Sequence, residues 1–164
     1  MIIYLKNKHT LQVGDFSFKC AIGKNGVSKN KVEGDKKTPK GHFDLDHLFY
    51  RKDRNKTIFS KMKKIKILKS MGWCDDTKES KYYNKLIKIN KKIKHEKLFR
   101  KDYKYNLLIP IKYNYKKTIL GLGSCIFIHL TNDYKPTAGC IALKKNDFLI
   151  MLKILEKKNS IKII

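Results

Sequence analysis

The brevity of its apolar runs restricts the fold of this chain more than any other feature. "MIIYL", "FSFKCAIG", "CIFIHL", "GCIAL" and "SIKII" are each only a few residues long and are bounded by Gly, Asn, Asp, Lys or Ser. Runs of that length suit strands better than helices. "MIIYL" and "FSFKCAIG" read as two strands joined by a polar turn near Gly14-Asp15, the second ending at Gly23. "KNGVSKNKVEGDKKTPKGHFDLDHLFY" has the Gly, Asn, Asp and Pro of a long loop and closes in a strand at about 43–50. "IKIL", 65–68, is a further short strand. "YNLLIPIKYN" reads as a strand interrupted at Pro110, which argues for an edge or a bulge because proline cannot donate to a ladder. "GLGSCIFIHL" is a Gly-rich lead into a strong strand from Cys125 to Leu130. The apolar spacing of "KYYNKLIKINKKIKHEKLF" drifts, so that segment is read as mixed and helical in part. Only "KKNDFLIMLKILEKKN" keeps a helical period, with apolar residues at 148, 149, 152 and 155 and Asn146 or a neighbour as its cap. No repeat and no linker divides the chain. The expectation is one mainly β domain with some α over residues 1–164.

That length allows a core without disulfide or metal staples. Nine Tyr, eight Phe and many Ile argue against disorder. The formal charge is +25, and among 39 basic residues only Arg51, Arg54 and Arg100 are arginine. Two readings compete. The charge could serve an anionic partner such as nucleic acid, a membrane or an acidic wall polymer. Alternatively it reflects A/T-rich codons, which also supply Ile, Asn, Tyr and Phe, and the even spread of lysines favours this. No apolar stretch reaches 18 residues, so no transmembrane helix is expected. "MIIYLKNKHTLQV" reads as a first strand rather than a signal peptide. Cys20, Cys74, Cys125 and Cys140 include no CxxC pair, and Cys and His are too dispersed for a structural zinc site. Cys74 and Cys125 read as core thiols. His42, His47 and His95 read as surface residues.

Chemistry concentrates in "KPTAGCIAL", residues 135–143. Cys140 stands in a turn just before an apolar run, where backbone N–H groups are free. A thiol needs a base, and His129 ends the apolar strand "CIFIH" eleven residues upstream. Two short strands joined by the loop between them can lie side by side and bring the pair together. Gly139 permits a conformation that a side chain would block, and the turn can offer consecutive N–H groups to an oxyanion. The plainer alternative is a core histidine and a packed, half-buried thiol.

"IFIHL...PTAGCIAL" resembles the catalytic segment of the YkuD-type L,D-transpeptidases, which carry an early His and a Ser/Thr-x-Gly-Cys turn. "EGDKKTPKGHF" is similar to that family's second signature, Gly-x-x-x-Thr-Pro-x-Gly-x-Phe, through Gly34, Thr38, Pro39, Gly41 and Phe43. The two matches come in the right order and about a hundred residues apart.

The resemblance implies a β-sandwich of mixed sheets with one or two peripheral helices. It implies Cys140 as nucleophile and His129 as its base, with the second ring nitrogen held by a backbone carbonyl, that of residue 130. Gly139 and Cys140 N–H groups would line the oxyanion hole, and Thr137 would shape the turn. Thr38 and Pro39 would help to line the substrate site. Many members carry His where this chain has Ala138, and Arg where it has Ala142. Arg100 is the candidate to replace that Arg on a substrate carboxylate, against a surface ion pair with Asp102. Trp73 and Asp76, with Asp75, would wall the site, unless the acids cap a turn or meet lysines. The implied substrates are peptidoglycan stem peptides, with a carbapenem as a covalent probe, no cofactor, no specific nucleic acid and a monomeric enzyme. Crosslinking is the leading activity. L,D-carboxypeptidase or amidase action, and a basic polyanion-binding protein with a decayed site, are the alternatives. The family works in the periplasm or cell envelope. Without a signal peptide in the chain, a cytoplasmic place stays open.

Overall fold

A computed structural model describes residues 1–164. The chain opens as a meander of β1 (Ile2–Leu5), β2 (Thr10–Val13) and β3 (Phe16–Lys19). Ile3, Leu5, Leu11 and Val13 are buried while their neighbours are less so, the two-residue period of a sheet with one core face. Then come β4 (Val27–Ser28), β5 (Thr38–Pro39), β6 (Gly41–Asp44), β7 (Leu48–Tyr50) and β8 (Lys64–Lys66). β9 (Met71–Cys74), β10 (Leu86–Lys88) and β11 (His95–Lys97) follow. The last third holds β12 (Leu107–Pro110), β13 (Phe127–Leu130), β14 (Ile141–Leu143), the helix α1 (Lys145–Ile154) and β15 (Ser160–Ile163).

The first sheet has the order β3-β2-β1-β15-β6, with β1 and β15 parallel. The second has the order β14-β13-β12-β7-β8, parallel at both edges and antiparallel within. Both are mixed, in keeping with a YkuD-type β-sandwich. β10 and β11 flank β9 in a small antiparallel sheet, and β4 pairs with β5.

The strands β12, β13 and β14 of the second sheet are buried on both faces. Leu48, Leu107, Ile109, Ile128, Leu130, Ile141 and Leu143 join the first sheet and α1, through Phe148, Met151 and Leu152, in the main core. The alternate residues Phe49, Leu108, Phe127 and Cys140 meet Trp73, Leu98 and Tyr105 in a smaller cluster on the other face. Each large side chain buried this way contributes about 1.5–3 kcal/mol. The pleat therefore hands Cys140 to a different environment from Ile141, one residue on.

Several local expectations are corrected. The strand expected at 43–50 is two strands in different sheets, β6 and β7, with Leu45 bridging to Ile111 between them. β12 lies between β13 and β7, so Pro110 ends an interior strand rather than marking an edge. Ile111 N–H bonds towards β13, so the Pro110 nitrogen faces the other way, beside Asp46, where the chain has left the ladder. The segment read as partly helical holds no helix and contributes β10, β11 and turns. Cys125 precedes β13 at φ +55 rather than beginning the strand. The residue capping α1 is Lys144, without a side-chain bond, and Asn146 lies inside the helix.

Candidate active site

β13 and β14 run parallel with His129 opposite Ala142. Cys140 precedes Ala142 by two residues, so Cys140 and His129 face the same side, with their Cα atoms roughly 8 Å apart by strand geometry. Both line one cleft of about 600 Å³. The loop between them is braced from within: Thr131 Oγ1 accepts the N–H of Tyr134 at 3.1 Å, and Asp133 accepts that of Lys135 at 3.1 Å.

Thr137 and Thr38 build the turn that carries Cys140. Thr137 Oγ1 donates to the Cys140 carbonyl at 2.6 Å and accepts the Gly139 N–H at 3.1 Å. Gly139 has φ +140, and a Cβ there would stand 2.8 Å from the Lys37 carbonyl oxygen. Only glycine fits such a place. Thr38 Oγ1 donates to the Gly139 carbonyl at 2.9 Å and accepts the Gly23 N–H at 2.9 Å. One buried hydroxyl thus ties the Thr-Pro segment to the Gly-Cys turn, 101 residues further along the chain.

Cys140 is 8% exposed. It donates to the Cys125 carbonyl at 3.2 Å and accepts the Phe127 N–H at 3.4 Å. Burial pushes its pKa up to about 12; the Glu96 carboxylate adds to this, and the Phe127 N–H opposes it. His129 is 7% exposed. Its Nδ1 lies 2.9 Å from the Leu130 carbonyl, which can only accept, so Nδ1 carries the proton. Nε2 is left as a lone pair with no hydrogen bond inside the protein. Burial pulls the imidazole down to about 4, against the Leu130 carbonyl and with the help of the Lys104 and Arg100 charges. At neutral pH the resting pair is thiol and neutral imidazole, not thiolate and imidazolium. Of the two amides expected to meet an oxyanion, Gly139 N–H is taken by Thr137. The Cys140 N–H makes no hydrogen bond in the protein.

Arg100 lines the cleft, but its guanidinium grips Asp102 through Nε at 3.0 Å and Nη2 at 2.6 Å, and reaches Glu96 through Nη1 at 3.4 Å. The expected ion pair with Asp102 and the expected cleft position therefore coexist. Asp75 also lines the cleft and pairs with Lys94 at 3.3 Å. Four of the expected substrate residues are set apart from it. Trp73 is 2% exposed beneath the site, with Nε1 donating to Asn84. Asp76 points its carboxylate at the N–H groups of Lys78 and Lys94, as a turn cap does. Thr38 and Pro39 are buried behind the turn, where they support it. All four cysteines are free thiols.

Glu96 and Tyr105 belong to the cleft wall, and no motif in the sequence marks them. The available signal was their company: both flank Arg100, a rare arginine, in "HEKLFRKDYKY".

No helix is long and apolar enough to cross a membrane. No curated protein matches the chain. Among solved structures, the helical cell shape determining protein Pgp2 from Campylobacter jejuni is similar, with a TM-score of 0.52 and 18% identity over 99% of this chain. A lysine-to-alanine mutant of Pgp2 gives 0.51 and 17% over 99% of this chain. The chain spans just under half of those proteins, 46% and 45% of their lengths. The family model of the YkuD L,D-transpeptidase catalytic domain matches residues 1–163, and the chain belongs to that family.

Proposed function

We propose that the protein is a cysteine acyltransferase acting on peptidoglycan stem peptides, with Cys140 as nucleophile and His129 as general base. The observation that carries this reading is the placement of a buried thiol just ahead of β14 and a neutral imidazole of fixed tautomer on the adjacent β13, both lining one cleft. His129 Nε2 takes the Cys140 proton as the sulfur attacks the carbonyl that follows the diamino acid of the stem. The oxyanion forms beside the unengaged Cys140 N–H. The imidazolium returns its proton to the leaving amine, and a thioester remains. An amine of a second stem then attacks the thioester and gives up a proton to His129; the carbon–sulfur bond breaks, the imidazolium returns the proton to the Cys140 thiolate, and a crosslink is left. Neutral partners fit this sequence in that His129 has a free lone pair to accept a proton and the thiol has one to give, the transfer being coupled to formation of the carbon–sulfur bond.

Water in place of the amine would make the enzyme an L,D-carboxypeptidase. Its place of action would be the cell envelope, where such stems lie, and its role would be wall remodelling. The test is intact-mass analysis after incubation with a stem tetrapeptide and, separately, a carbapenem, comparing wild type with Cys140→Ala. An adduct on wild type alone supports the reading, and its absence with both reagents would overturn it. Dimeric product indicates transfer, whereas trimmed peptide alone indicates hydrolysis.

A further inference from the structure

Two residues of the cleft have no part in the steps above. Tyr105 is 5% exposed, and its ring stands edge-on between Phe127 at 5.8 Å and His129 at 5.5 Å between centroids. Its hydroxyl donates to Glu96 Oε1. Arg100 closes the group, with its guanidinium 5.0 Å over the Tyr105 ring and Nη1 donating to the same Glu96 oxygen at 3.4 Å. Glu96 belongs to β11 of the small sheet, whereas Tyr105 leads into β12, which pairs with the strand of His129. The group therefore fastens the small sheet to the strand pair that carries the base.

His129 needs such support. The Leu130 carbonyl fixes one ring nitrogen, and a single hydrogen bond does not fix the plane of the ring. The Tyr105 edge does so, provided that Tyr105 itself cannot turn. We propose that Glu96 is a positioning residue for the dyad: by anchoring the Tyr105 hydroxyl it holds the His129 ring with Nε2 open to the cleft of Cys140. This rests on the acyl-transfer reading above.

The charges around the group give the proposal a distinctive signature. Glu96 faces Arg100, Tyr105, Asp75 and Cys125; Cys140 faces Glu96 and Lys31; His129 faces Lys104, Arg100 and Asp102. The Glu96 charge works against a thiolate at Cys140. Glu96→Gln keeps an acceptor for Tyr105 but removes that charge. Glu96→Ala and Tyr105→Phe both lose the hydrogen bond.

Four measurements on the folded protein test this: kcat and KM with a stem tetrapeptide, the rate of Cys140 alkylation by iodoacetamide at pH 7, the imidazole ¹⁵N shifts of His129, and the melting temperature. In Glu96→Gln, alkylation is expected to quicken severalfold, towards the tenfold of one pKa unit, with kcat within about threefold of wild type. In Glu96→Ala and Tyr105→Phe, kcat is expected to fall about tenfold or more with KM little changed, as for a misplaced base. Their His129 shifts should show a mixed tautomer population. Glu156→Gln, which removes an acid from the exposed pair with Lys61, should leave all four unchanged. Tyr105→Phe is the variant that decides if Glu96→Ala does not fold. Wild-type kcat and wild-type His129 shifts in Tyr105→Phe would overturn the proposal. Wild-type alkylation in Glu96→Gln would overturn its charge component. The alkylation and NMR readings need no stem peptide, so their movement as expected alongside a failure of wild type to acylate would bring down the transferase reading alone.

Discussion

At the scale of single residues, the proposed chemistry depends on two groups that burial keeps neutral. The pKa of Cys140 is pushed up to about 12 and that of His129 down to about 4, each mainly by lost solvation. Alkylation of Cys140 by iodoacetamide should therefore be slow at pH 7 and climb about tenfold per pH unit past pH 10. In urea-unfolded protein the climb should level off near the ordinary thiol value. A plateau reached below pH 9 in the folded protein would show a pre-formed thiolate instead. His129 also couples folding to pH. The unfolded chain takes up a proton at about 6.5, which the folded chain refuses until about 4. The stability tied to the neutral ring is thus complete above pH 6.5 and is lost as the pH falls towards 4, amounting to about 3 kcal/mol. Urea unfolding at pH 7 and pH 4.5 measures the loss, and His129→Phe should remove most of that difference. The lowered carboxyls of Asp35 and Asp102 lose their contribution at more acid pH, below the usual carboxylate range.

At the scale of elements, the site depends on one hydroxyl joining two distant segments. Thr38→Val removes the partner of both the Gly23 N–H and the Gly139 carbonyl while keeping the side chain's shape. Each buried group left unpaired costs about 1–3 kcal/mol. Thr38→Val should lower stability by about 2–4 kcal/mol and slow acylation of Cys140, and Thr38→Ser should restore most of both. Urea titration and intact-mass kinetics read the two effects; unchanged acylation in a folded Thr38→Val would exclude the link between segments. Much of this was legible beforehand. The turn glycine follows from a short pattern, because local backbone geometry fixes it, whereas the Thr-Pro motif and the carbonyl on His129 came from the family resemblance. What the patterns did not carry was the direction in which Thr38 and Pro39 act: they support the turn from behind rather than touching the cleft. Nor does local spacing tell that residues 43–50 change sheets, since alternation continues through Leu45 whichever sheet receives it. Glu96 and Tyr105 were hidden for a similar reason. Tyr105 meets His129, and Glu96 meets Tyr105, only through packing between distant segments, and the lysine-rich stretch before them mimics a weak helix.

At the scale of the whole molecule, the charge of +25 is unevenly answered. Of only 14 acids, four, Glu33, Asp75, Glu96 and Asp133, line the cleft of Cys140. Lys31, Lys36, Arg100, Lys104 and Lys135 line the same cleft. Its interior is therefore close to balanced, while the surface outside is strongly positive. An anionic peptide would be drawn in by the surface and then meet a site whose local field is small. The two parts of that field respond differently to salt. Exposed charges are screened beyond about 10 Å at 0.1 M ionic strength, whereas contacts inside the cleft are not. Raising sodium chloride from 20 to 200 mM should thus lower kcat/KM for a stem peptide of net negative charge severalfold, mostly through slower capture. Alkylation of Cys140 by neutral iodoacetamide at fixed pH should change little over the same range. A stem peptide amidated to neutrality should follow the iodoacetamide pattern. If the charged and amidated stems lost rate equally, the surface charge would have no part in capture, and codon bias alone would account for the lysines.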